Sequence, residues 1–185
     1  VLSDIKNGVF VEIGTDKGYF ADQILSCTND SILYCIDPYI SYENYKDAIN
    51  NYTGDMLYNQ VKQNLQVKYG NRVKFVRMFS EQAVKHINEE IDFLYIDGNH
   101  QYEYVYKDLE LYYPKIKKNG RIIGDDAVDI DDNKRNDKNN VYIQWTSNSY
   151  GYYGVYKAFR DFIKNNNIPE DKYKVYGNQF IIIKS

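Results

Sequence analysis

Five short apolar segments, each followed by a polar turn, constrain the fold of this chain most strongly. The segments predicted to form strands are Val9–Ile13, Ile32–Ile36, Val73–Val76, Ile91–Ile96 and 121–124. Segments with helical spacing of apolar residues alternate with them at 17–27, Asp55–Tyr69, 80–87, 102–113 and Val155–Asn165. Alternation of this kind predicts an α/β fold with a parallel sheet and helices on both faces.

The C-terminal residues predict a different pairing. Tyr173–Tyr176 and Gln179–Ile183 have strand-like composition, and the Gly177-Asn178 dipeptide between them is a signal for an antiparallel hairpin. The polar segment 126–150 interrupts the alternation and is too long for an ordinary connection, so we expect a lid or a disordered insertion. The sequence predicts one domain, residues 1–185, which is either complete or cut from a longer chain.

Charge and cysteine usage exclude several classes of protein. The net charge is −3 at pH 7, which argues against nucleic acid as a partner because phosphate binding needs a basic surface. No apolar run approaches the roughly 18 residues that a membrane helix needs. Cys27 and Cys35 are too few for a disulfide scaffold. These features together predict a cytoplasmic protein without a membrane partner.

Acidic residues follow the first two predicted strands, at the sheet edge where α/β proteins bind ligands. The turn between Gly14 and Gly18 follows Glu12 and contains Asp16, so its negative groups favour a cationic ligand over a phosphate. Asp37 ends the second strand, where a carboxylate can accept hydrogen bonds from ribose hydroxyls. An ordinary tight turn and an ordinary strand terminator are the alternatives.

The ends of the fourth and fifth predicted strands carry three more acids and a histidine. If Asp97, Asp125 and Asp126 converge, they would repel one another unless a cation lies among them. Carboxylates suit Mg²⁺, with Ca²⁺ or Mn²⁺ as alternatives, although turn and cap roles would also explain these residues. His100 follows Asp97 by three residues and could act as a general base beside the ion; a helix-terminal histidine without a function is the alternative.

Four segments together resemble class I S-adenosylmethionine-dependent methyltransferases. They are EIGTDKG, CIDPY, the long segment from FLYIDGNH to IIGDD, and GVYKAFRDF. Within this class the resemblance is to small-molecule O-methyltransferases of the macrocin type, which modify sugars, and more distantly to catechol O-methyltransferase. It implies a Rossmann-like, seven-stranded, mostly parallel sheet of order 3-2-1-4-5-7-6 with an antiparallel strand 7.

The resemblance also implies a cofactor and a set of site residues. It implies S-adenosylmethionine bound by Glu12, Gly14, Thr15, Gly18, Asp37, Phe79, Ser80 and Asp97. Of these, Glu12, Gly14 and Gly18 would frame the methionine end, Asp37 would hold the ribose, and Phe79 and Ser80 would lie near the adenine. It further implies His100 as the base and Asp97, Asp125 and Asp126 as ligands of a divalent metal, with Mg²⁺ favoured.

The expected activity is metal-assisted O-methylation of a small molecule, with a sugar or nucleotide-sugar hydroxyl favoured as acceptor. A catechol or phenol methyltransferase and a non-catalytic methyltransferase-like binding domain are the alternatives. The aromatic residues expected to line the acceptor lid are Tyr142, Trp145, Tyr150, Tyr152 and Tyr153. Flanking domains or a second copy of the chain are the expected macromolecular partners.

Overall fold

The computed structural model describes residues 2, 4–43, 45, 54–128, 141–146 and 149–185, with only the backbone given for 141–146 and 149–152. The strands in these ranges are β1 (Val9–Ile13), β2 (Ile32–Ile36), β3 (Val73–Val76), β4 (Ile91–Ile96), β5 (Ile116–Gly124), β6 (Val141–Thr146), β7 (Ser149–Tyr153), β8 (Tyr173–Tyr176) and β9 (Gln179–Ile183). The helices are α1 (Tyr19–Ser26), α2 (Asp55–Tyr69), α3 (Ser80–Ala83), α4 (Tyr102–Tyr112) and α5 (Val155–Asn165). No helix in these ranges is both long and apolar enough to span a membrane.

Seven of these strands form one sheet in the order β3-β2-β1-β4-β5-β9-β8. β1 lies at the centre and pairs in parallel with both β2 and β4, while β9 pairs antiparallel with β5 and β8. Numbered within the sheet alone, this is the order 3-2-1-4-5-7-6, so the predicted Rossmann-like topology is confirmed. The reversal of strand order beside β1 places the ends of β1 and β4 at the edge where this fold binds ligands.

Two apolar cores cover the two faces of the sheet. Side chains alternate along a strand, so Val11 of β1 joins one core with Leu94, and Phe10 joins the other with Phe93. The rings of Phe10 and Phe93 meet edge to face, with 5.8 Å between their centroids. Because both faces are covered, the central strands are apolar nearly throughout their length, which is why the sequence identifies them.

Some helices and strands begin or end at other residues than predicted, because local backbone geometry sets these bounds. The predicted helix 17–27 is shorter because Gly18 takes a left-handed conformation with φ 74° directly before α1. The predicted helix 80–87 ends as α3 at Ala83 and continues as a 3₁₀ turn over Val84–His86. The fifth strand begins at Ile116 rather than at 121, and an irregularity in its pairing with β4 accommodates the additional residues.

Part of the predicted insertion 126–150 lies in strands. β6 and β7 pair as an antiparallel two-stranded sheet, separate from the main one. The lid and its disordered alternative both remain predictions. The side chains predicted to line the lid lie outside the described set, except Tyr153.

Candidate active site

A cleft of about 220 Å³ opens at the carboxyl edge of the sheet, between the turns after β1, β2 and β4 and the helices α3 and α4. The sequence-predicted site residues on its wall are Gly14, Asp37, Phe79, Ser80, Asp97 and His100. Residues that the sequence did not single out also line it, among them Tyr39, Tyr42, Tyr104 and Asp108. Apolar walls with a few polar groups are typical of small-molecule sites.

The turns after β1 and β4 are in direct backbone contact at the floor of this cleft. Gly14 has φ 89°, and a Cβ atom there would lie 2.0 Å from the carbonyl oxygen of Asp97. Only glycine fits both the backbone angle and the space. The packing of the two turns therefore requires glycine at position 14, and this glycine leaves an open stretch of backbone in the cleft wall.

Asp37 presents a fixed carboxylate on the cleft wall. Its Oδ2 accepts the N–H of Asp16 at 3.0 Å, and its Oδ1 accepts the N–H of Tyr39 at 2.8 Å. Burial raises the pKa of Asp37, while these two donors act in the opposite direction. The predicted strand-end carboxylate is thus in the cleft and held by the backbone.

His100 lies between two carboxylates. Its Nε2 is 3.4 Å from Oδ1 of Asp97 and 3.5 Å from Oδ2 of Asp126. The ring of Tyr153 stacks on the imidazole with 5.4 Å between centroids and 8° between planes. The N–H of Gly154 donates to the His100 carbonyl at 2.8 Å, which attaches the end of β7 to the same residue. The imidazole is therefore held in position on several sides.

Asp125 points away from this group. Its Oδ2 accepts the hydroxyl of Tyr95 at 2.7 Å, and its Oδ1 lies 3.3 Å from Nε2 of Gln179. Its Oδ1 also accepts the N–H of Asp126 at 3.0 Å, and Asp126 has a left-handed φ of 54°. This turn directs the adjacent carboxylates in different directions.

The predicted metal site is not assembled by these residues. Asp97 and Asp126 meet at His100, but the third expected ligand, Asp125, is engaged by Tyr95 and Gln179. Within the described ranges, no three His, Cys, Asp or Glu side chains are placed to hold a metal ion. The donor set as arranged does not fit a carboxylate-bound divalent ion.

Glu12, Thr15 and Gly18 lie behind the cleft wall rather than on it. Glu12 is 1% exposed, and burial raises its pKa to about 8, so it is mostly neutral near pH 7. Its Oε2 and the Oγ1 of Thr15 are buried without a hydrogen-bond partner among the described residues. A Cβ atom on Gly18 would lie 2.8 Å from Val61 of α2, so this glycine serves packing. Glu12 therefore contributes little negative charge to the cleft near pH 7.

Sequence reasoning missed Asp108, although a signal was present. In α4, Val105, Asp108, Leu109 and Tyr112 share one buried face, and Asp108 is the charged member. An acid on the apolar face of a helix is uncommon, because burying a carboxylate costs free energy unless it is paired. An acid on the buried face of α4 therefore indicates that Asp108 has a specific role.

Comparison with known proteins identifies the class. The sequence model of a family described as a methyltransferase domain matches residues 11–127, which contain β1 to β5 and the cleft. This match covers more than half of the chain, and the chain belongs to that methyltransferase family.

A curated relative matches part of the chain. An uncharacterized protein of Acanthamoeba polyphaga mimivirus is 32% identical over 125 residues, which are 65% of this chain and 52% of the relative. The chain thus spans about half the length of the curated relative that it matches.

Solved structures share the fold at low identity. A Staphylococcus aureus protein provisionally assigned as a caffeoyl-CoA O-methyltransferase has a TM-score of 0.62 at 19% identity, over 99% of this chain and 78% of that one. An O-methyltransferase from Bacillus cereus, solved with S-adenosylhomocysteine, has a TM-score of 0.63 at 14% identity, over 95% of this chain and 74% of that one.

Proposed function

We propose that this domain transfers a methyl group from S-adenosylmethionine to a hydroxyl of a small molecule, with a sugar or nucleotide-sugar favoured. The observation that carries the proposal is the His100 imidazole on the cleft wall, with its Nε2 between the carboxylates of Asp97 and Asp126. Methylation of an oxygen needs a group that removes the hydroxyl proton, and histidine has a suitable pKa for that task.

The cleft fits the proposed cofactor in three respects. The bare backbone at Gly14 permits close approach, and the fixed carboxylate of Asp37 can accept hydrogen bonds from ribose hydroxyls. Phe79 and Tyr42, with ring centroids 5.1 Å apart, offer aromatic surface for a purine. The Bacillus cereus protein of the same fold was solved with S-adenosylhomocysteine, which supports this assignment. When bound, S-adenosylmethionine would supply an electrophilic methyl group on its sulfonium.

In the proposed mechanism, the neutral imidazole of His100 accepts the hydroxyl proton. The two carboxylates then face the imidazolium that forms, and opposite charges within 3.5 Å favour the charged ring. The stacked ring of Tyr153 keeps the imidazole plane fixed. A positioned base of this kind typically contributes 10²–10⁴-fold to a rate.

A sugar acceptor is favoured by the chemistry of the base and by the aromatic ring beside it. A sugar hydroxyl is a weak acid, so its methylation depends more on a base than that of a phenol does. Tyr153 lies against His100 at the end of β7 and can offer its face to a sugar ring.

The divalent metal predicted from the sequence has no step in this mechanism. Its three proposed ligands would have to rearrange, with Asp125 leaving Tyr95 and Gln179. Turnover measured with Mg²⁺ and with EDTA tests this point, and the described geometry predicts equal rates. A loss of turnover in EDTA that Mg²⁺ restores would show that Asp125 joins Asp97 and Asp126 around an ion.

The first experiment is calorimetric titration of S-adenosylhomocysteine into the folded protein. We expect saturable binding with one site per chain. Methyl transfer is then measured by mass spectrometry with nucleotide-sugars and catechols in parallel, which separates the two acceptor classes. Absence of binding by a folded protein would contradict the proposed function, and binding without transfer to any hydroxyl would favour a non-catalytic binding domain.

A further inference from the structure

The charged residue on the buried face of α4 has no role in the mechanism above. Asp108 is 4% exposed and lies between the core residues Val105, Leu109 and Tyr112. It nevertheless reaches the wall of the cleft, on the side of Phe79 and Ser80. A carboxylate in such a position needs a partner that compensates for its burial.

One oxygen of Asp108 already has that partner. The hydroxyl of Ser80 donates to Oδ1 at 2.5 Å. One helical turn further along α4, the hydroxyl of Tyr112 donates to the carbonyl of Ser80 at 2.8 Å. Asp108 and Tyr112 together fix the first residue of α3, so the direction of the Asp108 carboxylate is set.

The other oxygen, Oδ2, has no hydrogen-bond partner among the residues that the structure describes. The nearby charges of Lys107 and Glu81 form an ion pair with each other. Burial raises the pKa of Asp108 to about 7. The part of the cleft wall that includes Phe79 and Tyr104 therefore offers an acceptor oxygen without a partner among the described residues.

An aromatic-lined part of the wall with a fixed hydrogen-bond acceptor suits a purine that carries an amino group. We propose that Asp108 determines the base specificity of the cofactor site by accepting a hydrogen bond from the exocyclic amine of adenine through Oδ2. This inference rests on the proposed function and adds a specificity-determining residue to it. Ser80 holds the carboxylate in the orientation that this contact requires.

An amide at position 108 should reverse the preference of the site for adenine over hypoxanthine. In Asp108→Asn, the amide oxygen can keep the bond from Ser80, and the amide N–H₂ then replaces Oδ2 toward the cleft. A donor at that point favours the carbonyl of hypoxanthine over the amine of adenine. The substitution preserves side-chain volume, so the change in chemistry is separated from a change in packing.

The experiment measures the dissociation constants of S-adenosylhomocysteine and S-inosylhomocysteine for each protein by calorimetry. For the wild type we expect the adenosine compound to bind at least about ten-fold more tightly, because the adenine amine can donate to Oδ2 whereas hypoxanthine presents a carbonyl there. In Asp108→Asn we expect the ratio of the two constants to fall by about ten-fold or more. Glu110→Gln, an exposed acid-to-amide change on the same helix, serves as the matched control and should leave the ratio unchanged.

The double variant Ser80→Ala with Asp108→Ala covers the case in which Asp108→Asn fails to fold. It removes both partners of the buried hydrogen bond, which is less costly than removing one. It should bind the two compounds about equally. An unchanged ratio in Asp108→Asn, or in the double variant, would overturn the inference while leaving the proposed function intact. Failure of the folded wild type to bind either compound would instead contradict the proposed function.

Discussion

The ends of β1 and β4 are neighbours in the sheet, yet their polar residues lie in opposite environments, one buried and the other facing the cleft. At the end of β1, Glu12 and Thr15 are buried behind the cleft wall with atoms that lack hydrogen-bond partners. At the end of β4, Asp97 and His100 face the cleft and contact each other. For the two acids, position relative to the strand end explains the difference: Glu12 is still within the strand and points to one core, whereas Asp97 follows the last strand residue. Of these two acids, the one beyond the strand end is the one that lines the cleft.

The largest effect is expected at the end of β4. His100→Ala should lower kcat by about 10²–10⁴-fold because it removes the proposed proton acceptor. Its affinity for S-adenosylhomocysteine should change little, since the cofactor contacts proposed above lie on other residues. Turnover by quantitative mass spectrometry and calorimetric affinity measure the two quantities.

His86→Ala is the control for this substitution. His86 is the other histidine of the chain, and it is exposed in the 3₁₀ turn after α3. The His86→Ala variant should keep wild-type turnover. Full activity of His100→Ala would remove the base assignment and with it the contrast between the two strand ends.

The next largest effects are expected at the two adjacent acids after β5. One substitution should lower stability, and the other should lower turnover. Asp125→Asn should lower the free energy of unfolding by about 1–3 kcal/mol, because an amide cannot accept from all the donors that now face Asp125. Asp126→Asn should change stability by less than about 1 kcal/mol and act on kcat instead, since its carboxylate faces His100.

Urea unfolding and turnover of both variants check this pair. Equal stability of the two variants with equal loss of turnover would mean that both acids act together at the site, as the sequence-based metal prediction requires.

The third effect is expected at the end of β1, where it concerns the pH dependence of stability rather than turnover. Burial raises the folded-state pKa of Glu12 from 4.5 to about 8, so the unfolded chain binds fewer protons between those values and stability falls as pH rises. The slope from this residue is at most about 1.4 kcal/mol per pH unit. Glu12→Gln should remove that slope.

Urea unfolding of the wild type and of Glu12→Gln between pH 5 and pH 8 measures how the free energy of unfolding depends on pH. Parallel stability curves for the two proteins would show that Glu12 is ionised in the folded state. The end of β1 would then carry a charge as the end of β4 does.

Much of the fold could be predicted because its signals are local. β1, β2, β3 and β4 are short apolar runs between turn residues, and their predicted bounds match the observed ones. β6 was missed although VYIQWT is rich in β-branched and aromatic residues, because the polar residues before it dominate the composition of that segment.

The site was predictable only as far as strand ends determine it. Asp37, Asp97 and His100 reached the cleft because parallel strands end at one edge. The direction of Asp125 depends on Gln179, which is 54 residues away in the sequence, so no local pattern could reveal it. Asp108 carried a local signal, but its partner Ser80 becomes apparent only when α3 and α4 are packed together.

The contact between Gly14 and the carbonyl of Asp97 has a mechanical consequence. With backbone against backbone and no side chain between them, the turn after β1 and the turn that leads to His100 are packed directly against each other. If these turns hold the methyl donor and the base, as proposed above, the packing of Gly14 helps to set their alignment. A side chain at position 14 would therefore push the two turns apart as well as narrow the cleft.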